Sequence, residues 1–97
     1  MKQISVPSKV KKDIDGFIGT MCDVVTSIGA RVSKKYQLIL VCQLDYLYKL
    51  AYELYEETGS GFISSRSLKI IKKSLNFLPT DIKDLIPKSI IDFFNKN

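Results

Sequence analysis

Apolar residues fall at Val10, Ile14, Phe17, Ile18, Met21, Val24, Val25 and Ile28, in steps of mostly three and four. That spacing returns to one side of a 3.6-residue turn and predicts an amphipathic helix of about twenty residues. Pro7 and Ser8 stand at its start, where a fixed φ and a capping hydroxyl serve. Gly29 stands where a left-handed residue closes a helix. Gly16 and Gly19 each cost about 1 kcal/mol against alanine and point to a bend or a close backbone approach.

A second helix is predicted from near Ser33 toward Glu57, either continuous or broken near Gln43. One stripe on it is Leu40, Leu44, Leu47, Ala51 and Leu54; another is Val41, Tyr48, Tyr52 and Tyr55, expected to be half-buried against a neighbouring helix. Two stripes imply a central position. Gly59-Ser60-Gly61 ends it. Ser64 is then placed to cap a third helix, with Ile63 and Leu68 at the two positions of a hydrophobic staple. Leu68, Ile71, Leu75 and Leu78 are predicted to face inward, and Arg66, Lys69, Lys72 and Lys73 outward. Pro79 stops this helix. Thr80 is expected to cap a short segment that continues in phase through Ile82, Leu85, Ile86, Ile90, Phe93 and Phe94, kinked at Pro87. No segment sustains strand alternation. The fold class is therefore all-α, four to five helices in paired helix–loop–helix units, as a single domain over residues 1–97 with 1–7 as an N-terminal tail.

Charge changes this picture more than composition does. The net charge is +5, yet Gln43 to Thr58 carries −3, which leaves +8 for the rest of the chain. Lys34, Lys35, Arg66, Lys69, Lys72 and Lys73 form a candidate basic face for an acidic partner such as nucleic acid. The plainer reading of those lysines is solubility. Lysine–aromatic alternation suited to single strands is absent, so only phosphate contact fits.

Candidate chemistry is sparse. There is no histidine, and Cys22 and Cys42 form no CxxC, which excludes a Cys/His zinc site. Both cysteines are expected to be buried free thiols on apolar faces, where a thiolate is disfavoured. No base stands beside a nucleophile, and no glycine-rich phosphate loop follows a strand. The expectation is a non-catalytic protein with no metal and no cofactor. Residues 1–7 lack the apolar core of a signal peptide, and no apolar run of about 18 residues occurs, so no membrane span and an intracellular (cytoplasmic or nuclear) location are expected.

The stretch Ala51 to Thr80, AYELYEETGSGFISSRSLKIIKKSLNFLPT, resembles an EF-hand of the calmodulin, centrin and myosin-light-chain kind. Ala51, Tyr52, Leu54 and Tyr55 match the entering helix. Glu56 would open the loop, Gly61 stands at its sixth position and Ile63 at its eighth, and Leu68 begins the exiting helix. Calcium needs oxygen ligands at the first, third and fifth positions and a bidentate Glu at the twelfth. Here those are Glu56, Thr58, Ser60 and Ser67. The resemblance implies the helix–loop–helix shape, and the missing carboxylates make it calcium-silent. Val32-Ser33-Lys34-Lys35 echoes Ile63-Ser64-Ser65-Arg66 and implies a degenerate first hand whose Val32 loop pairs with Ile63.

The same repeat is similar to a histone fold, with ARVSKK (30–35) and GFISSRSL (61–68) at the helix entries and Ser67 where that family has Asp. It implies a DNA-binding, heterodimerising subunit. A small bacterial or viral helical-bundle regulator is a further alternative. An unbroken helix from Ser33 to Glu57 would favour the histone fold, and a break near Gln43 the EF-hand lobe. The leading expectation is an adaptor that grips an amphipathic partner helix, as silent light-chain lobes do. Its groove would be lined by Phe17, Met21, Leu40, Leu44, Phe77, Phe93 and Phe94, residues for which ordinary core is the alternative. Self-association is left open.

Overall fold

The structure is a computed structural model and describes residues 2–27 and 41–97. Helix α1 spans Ser8–Thr26 and buries the predicted stripe of Val10, Ile14, Phe17, Met21 and Val24. Its N-cap is Pro7, without a capping side chain, so Ser8 lies inside the first turn rather than before it. The Pro7 carbonyl accepts from the Lys11 N–H at 3.0 Å and starts the helical ladder. The helix stops at Ser27, whose N–H donates to the carbonyls of Asp23 and Val24. Gly29, the expected terminator, lies outside the described residues. A Cβ at Gly16 or Gly19 would meet nothing within 4 Å, so neither marks a close approach.

Helix α2 spans Val41–Glu57 and runs through Gln43 without a break. Residues 33–40 of the predicted helix lie outside the described residues. Leu44, Leu47, Leu50, Ala51 and Leu54 are buried on its inner side. This is the face that packs on α1. The helix ends where Thr58, itself buried, donates its Oγ1 proton to the Leu54 carbonyl at 2.6 Å. Gly61 then takes φ 87°, the left-handed region where a Cβ would be strained. The chain reverses there.

Residues 2–7 of the expected tail carry a strand. Strand β1 (Gln3–Ser5) pairs antiparallel with β2 (Phe62–Ser64), setting Gln3 opposite Ser64, Ile4 opposite Ile63 and Ser5 opposite Phe62. The ladder is extended by Val6 N–H to the Gly61 carbonyl at 2.9 Å and Ser65 N–H to the Lys2 carbonyl at 3.0 Å. Three-residue strands are too short to show alternation, which is why periodicity overlooked them. Their physical purpose is cover: Ile63 is 1% exposed and Val6 6% exposed, and Ile4 packs on the same core.

Helix α3 (Ser65–Phe77) begins as predicted. The Ser64 side chain accepts from the Ser67 N–H at 3.1 Å, and the staple residues Ile63 and Leu68 are both buried. Leu68, Ile71 and Leu75 face the core. Pro79 follows the C-cap Leu78 and acts as N-cap of the short α4 (Thr80–Lys83), so Thr80 is inside that helix and does not cap it. Pro87 separates α4 from α5 (Lys88–Lys96), a full break where a kink was expected. Ile90, Phe93 and Phe94 of α5 are buried, and Ser89 donates a short hydrogen bond to the Asp13 carboxylate on α1. All buried apolar side chains among the described residues form one cluster. The architecture is all-α with a small two-stranded clasp. No described helix is long and apolar enough to cross a membrane.

Candidate interaction surface

The groove expected from the sequence is closed. Phe17, Met21, Leu44, Phe93 and Phe94 are all under a tenth exposed and belong to the core cluster. Phe93 and Phe94 pack edge to face with ring centroids 5.2 Å apart, an arrangement favoured by the ring quadrupoles. A one-domain chain this small needs these large side chains inside to stabilise itself, which leaves none for an open groove. Leu40 lies outside the described residues. Phe77 alone of the set is open, at 78% exposure.

The accessible apolar side chains are instead Tyr46, Tyr52 and Tyr55 on α2, Phe62 on β2, and Ile70 and Phe77 on α3. Tyr52 and Tyr55 are each about half exposed and are not among the side chains packed on the core; Tyr48 is. Projecting α2 at 100° per residue accounts for Tyr46 and Tyr52 but not for Tyr55, which falls beside Leu44 and nearer the buried arc than Tyr48. Leu44, Leu47, Leu50, Ala51 and Leu54 share that arc, and Tyr46 and Tyr52 fall outside it. That projection was the signal available for Tyr46. Likewise Ile70 stands among Arg66, Lys69 and Lys73, off the stripe of Leu68, Ile71 and Leu75.

Two shallow apolar hollows lie along the exposed side of α2. One, of about 260 Å³, is lined by Cys42, Gln43, Tyr46, Leu78, Pro79 and Ile82. The other lies between Tyr48, Lys49 and Tyr52. Sites for drug-sized ligands start near 300 Å³ and are enclosed, so hollows this small suit single side chains of a partner. Cys42 is exposed beside the first hollow, contrary to the buried setting expected for it, and Cys22 is half-buried; both are free. The wider depressions around Pro87 mix Lys12, Lys83 and Lys88 with Asp13, Asp84 and Asp92, a lining that favours neither sign of charge.

Electrostatics favour the neutral phenols of Tyr48 and Tyr52. The charge of Cys22, then its hydrogen bond, push the Tyr48 phenol above its ordinary range. The hydrogen bond to Glu56, then that carboxylate's charge, raise Tyr52 in the same direction. Across the hairpin, Arg66, Lys69 and Lys73 are exposed and Lys72 is partly so. None of the four makes an ion pair among the described residues. Lys34 and Lys35 of the expected basic face lie outside the described residues.

The loop resembling an EF-hand is held by its own side chains. Thr58 Oγ1 is turned inward to Leu54, Ser60 Oγ donates to the Phe62 carbonyl at 3.5 Å, and Ser67 Oγ donates to the Glu57 carboxylate at 3.0 Å. Ile63 pairs with Ile4; Val32, its expected partner, lies outside the described residues. Among the described residues no group of three or more His, Cys, Asp and Glu is placed to hold a metal ion. Millimolar Ca²⁺ should therefore leave the melting temperature unchanged. A ligand at a hundred times its Kd would add about 2.7 kcal/mol, so a rise of several degrees, reversed by chelator, would contradict this.

Compared with known proteins, the chain matches no protein-family model, no curated protein and no solved structure.

Proposed function

We propose that the chain is a non-catalytic protein-interaction module that docks an amphipathic partner helix, in the manner of a light-chain-like adaptor without calcium. One observation carries the reading. Every large apolar side chain left open among the described residues lies between Tyr46 and Phe77, on α2, β2 and α3, and none lies on α1, α4 or α5. Tyrosine supplies large contact area and a hydroxyl at low entropic cost, which is why it is enriched at interfaces. The docking face is the outer side of α2. Glu53 and Glu56 among those tyrosines select a partner helix carrying lysine or arginine.

A second reading has its own support. The cations of α3, exposed or partly so and unpaired among the described residues, suit phosphate contact, as the histone-like resemblance would require.

The two readings separate on salt and on substitution. Capture from the source cells with Tyr52→Glu/Tyr55→Glu should lose the partner. Changing Arg66, Lys69, Lys72 and Lys73 to Gln should spare a foreign partner helix on α2 and leave the melting temperature nearly unchanged, since these side chains lie off the buried stripe. Tight duplex DNA binding by the unmodified chain would instead establish the phosphate reading. Its affinity would fall by orders of magnitude between about 50 and 200 mM salt, and the quadruple variant would lose it.

A further inference from the structure

We infer that the partner of the outer face of α2 is helix α3 of a second copy of this chain, in a two-fold dimer. The inference rests on the docking reading above and names its occupant. The outer arc of α2 carries Asp45, Lys49, Tyr52 and Glu56 in steps of four, three and four, flanked by Tyr46 and Glu53. The outer arc of α3 carries Arg66, Ile70, Lys73 and Phe77 in the same steps. Steps of three and four keep a seam facing one neighbour and let side chains interlock as knobs in holes. Each arc spans twelve residues of its helix, 45–56 and 66–77.

The two arcs are complementary in charge as well as spacing. On α2, Asp45 and Lys49 pair with each other at 3.0 Å, which leaves Glu53 and Glu56 without a cation among the described residues. On α3 there are four cations and no carboxylate. Arginine and lysine seated against Tyr46 and Tyr52 would add cation–π attraction, and Ile70 and Phe77 would leave water. Within one molecule the arcs do not meet. Each helix turns its Leu and Ile stripe into the shared core, so the two outer arcs point away from it. Only another molecule brings them together. A two-fold arrangement uses both contacts at once, α2 on α3 and α3 on α2, and closes without further growth.

The test is sedimentation velocity of the full 97-residue chain with charge-swapped variants, each checked by circular dichroism for an intact fold. The unmodified chain should dimerise at tens of micromolar and dissociate as salt rises through about 0.5 M. Glu53→Lys/Glu56→Lys, and separately Arg66→Glu/Lys73→Glu, should each weaken the dimer by at least about tenfold. An equimolar mixture of these two variants should dimerise again, because one then presents two basic arcs and the other two acidic ones. A chain that stays monomeric at about 0.5 mM, above the range of specific interfaces, overturns the inference. So does a mixture that fails to re-form while both variants are folded. If self-association fails in this way but Tyr52→Glu/Tyr55→Glu still loses a captured partner, the docking reading stands with a foreign basic helix.

Discussion

Phe94→Ala should remove about 3–5 kcal/mol of stability, the largest loss expected from any single truncation here. Phe94 is fully buried, packs edge to face on Phe93, and anchors α5 in a core to which α1, α3 and both strands also contribute. Deleting a ring leaves a cavity that surrounding helices refill only in part. Small domains hold only about 5–15 kcal/mol in total, so the variant is expected to be largely unfolded near physiological temperature. Phe77→Ala is the control. Its ring is 78% exposed, and the change should stay within about 0.5 kcal/mol. Urea titration of both variants reads the difference directly as a shift in midpoint. Equal midpoints for the two would mean that Phe94 is not core.

Ile63→Ala should cost about 2–4 kcal/mol, as truncation of a sealed aliphatic side chain does. In a chain this short, that corresponds to a fall of at least about ten degrees in melting temperature. The more discriminating measurement is a double-mutant cycle with Ile4→Ala. The two residues stand directly opposite each other on β1 and β2. Cross-strand neighbours of this kind contribute about 0.2–1 kcal/mol of coupling, whereas a free N-terminal tail contributes none. Additive losses would detach β1 from the fold and return residues 2–7 to the status of a tail.

Helix starts and stops were readable wherever a local rule decides them. Ser64 caps α3 because a serine ahead of a helical stripe satisfies an orphan N–H with its own oxygen. Pro79 and Pro87 divide the C-terminal segment because proline lacks the donor that a continuing helix needs. The second of these was expected to bend one helix; instead α4 stops at Lys83 and Pro87 is the N-cap of α5. Gly61 was assigned a sharp turn through a resemblance, and its φ of 87° supplies one.

The candidate site was harder to read, for a definite reason. Periodicity identifies an apolar residue but does not say whether it closes the core or faces a partner. Phe17, Met21, Leu44, Phe77, Phe93 and Phe94 look alike in sequence, and packing sends all but Phe77 inside. Conversely, the tyrosines of α2 form a helical stripe that suggested cover, yet Tyr52 and Tyr55 are each about half exposed and are not among the side chains packed on the core.

By itself, the sequence determined the helical class, the inward stripes of α1, α2 and α3, the cap and staple at Ser64, and the separation of acidic from basic charge. These follow from interactions among residues a few positions apart, which a linear pattern records. Only the tertiary structure decided that residues 3–5 form a strand, that Ile63 lies beneath Ile4, and which aromatic side chains face solvent. Those outcomes depend on contacts between residues distant along the chain, such as the nearly sixty positions between Ile4 and Ile63. No local periodicity encodes which of two equally apolar faces another element will cover.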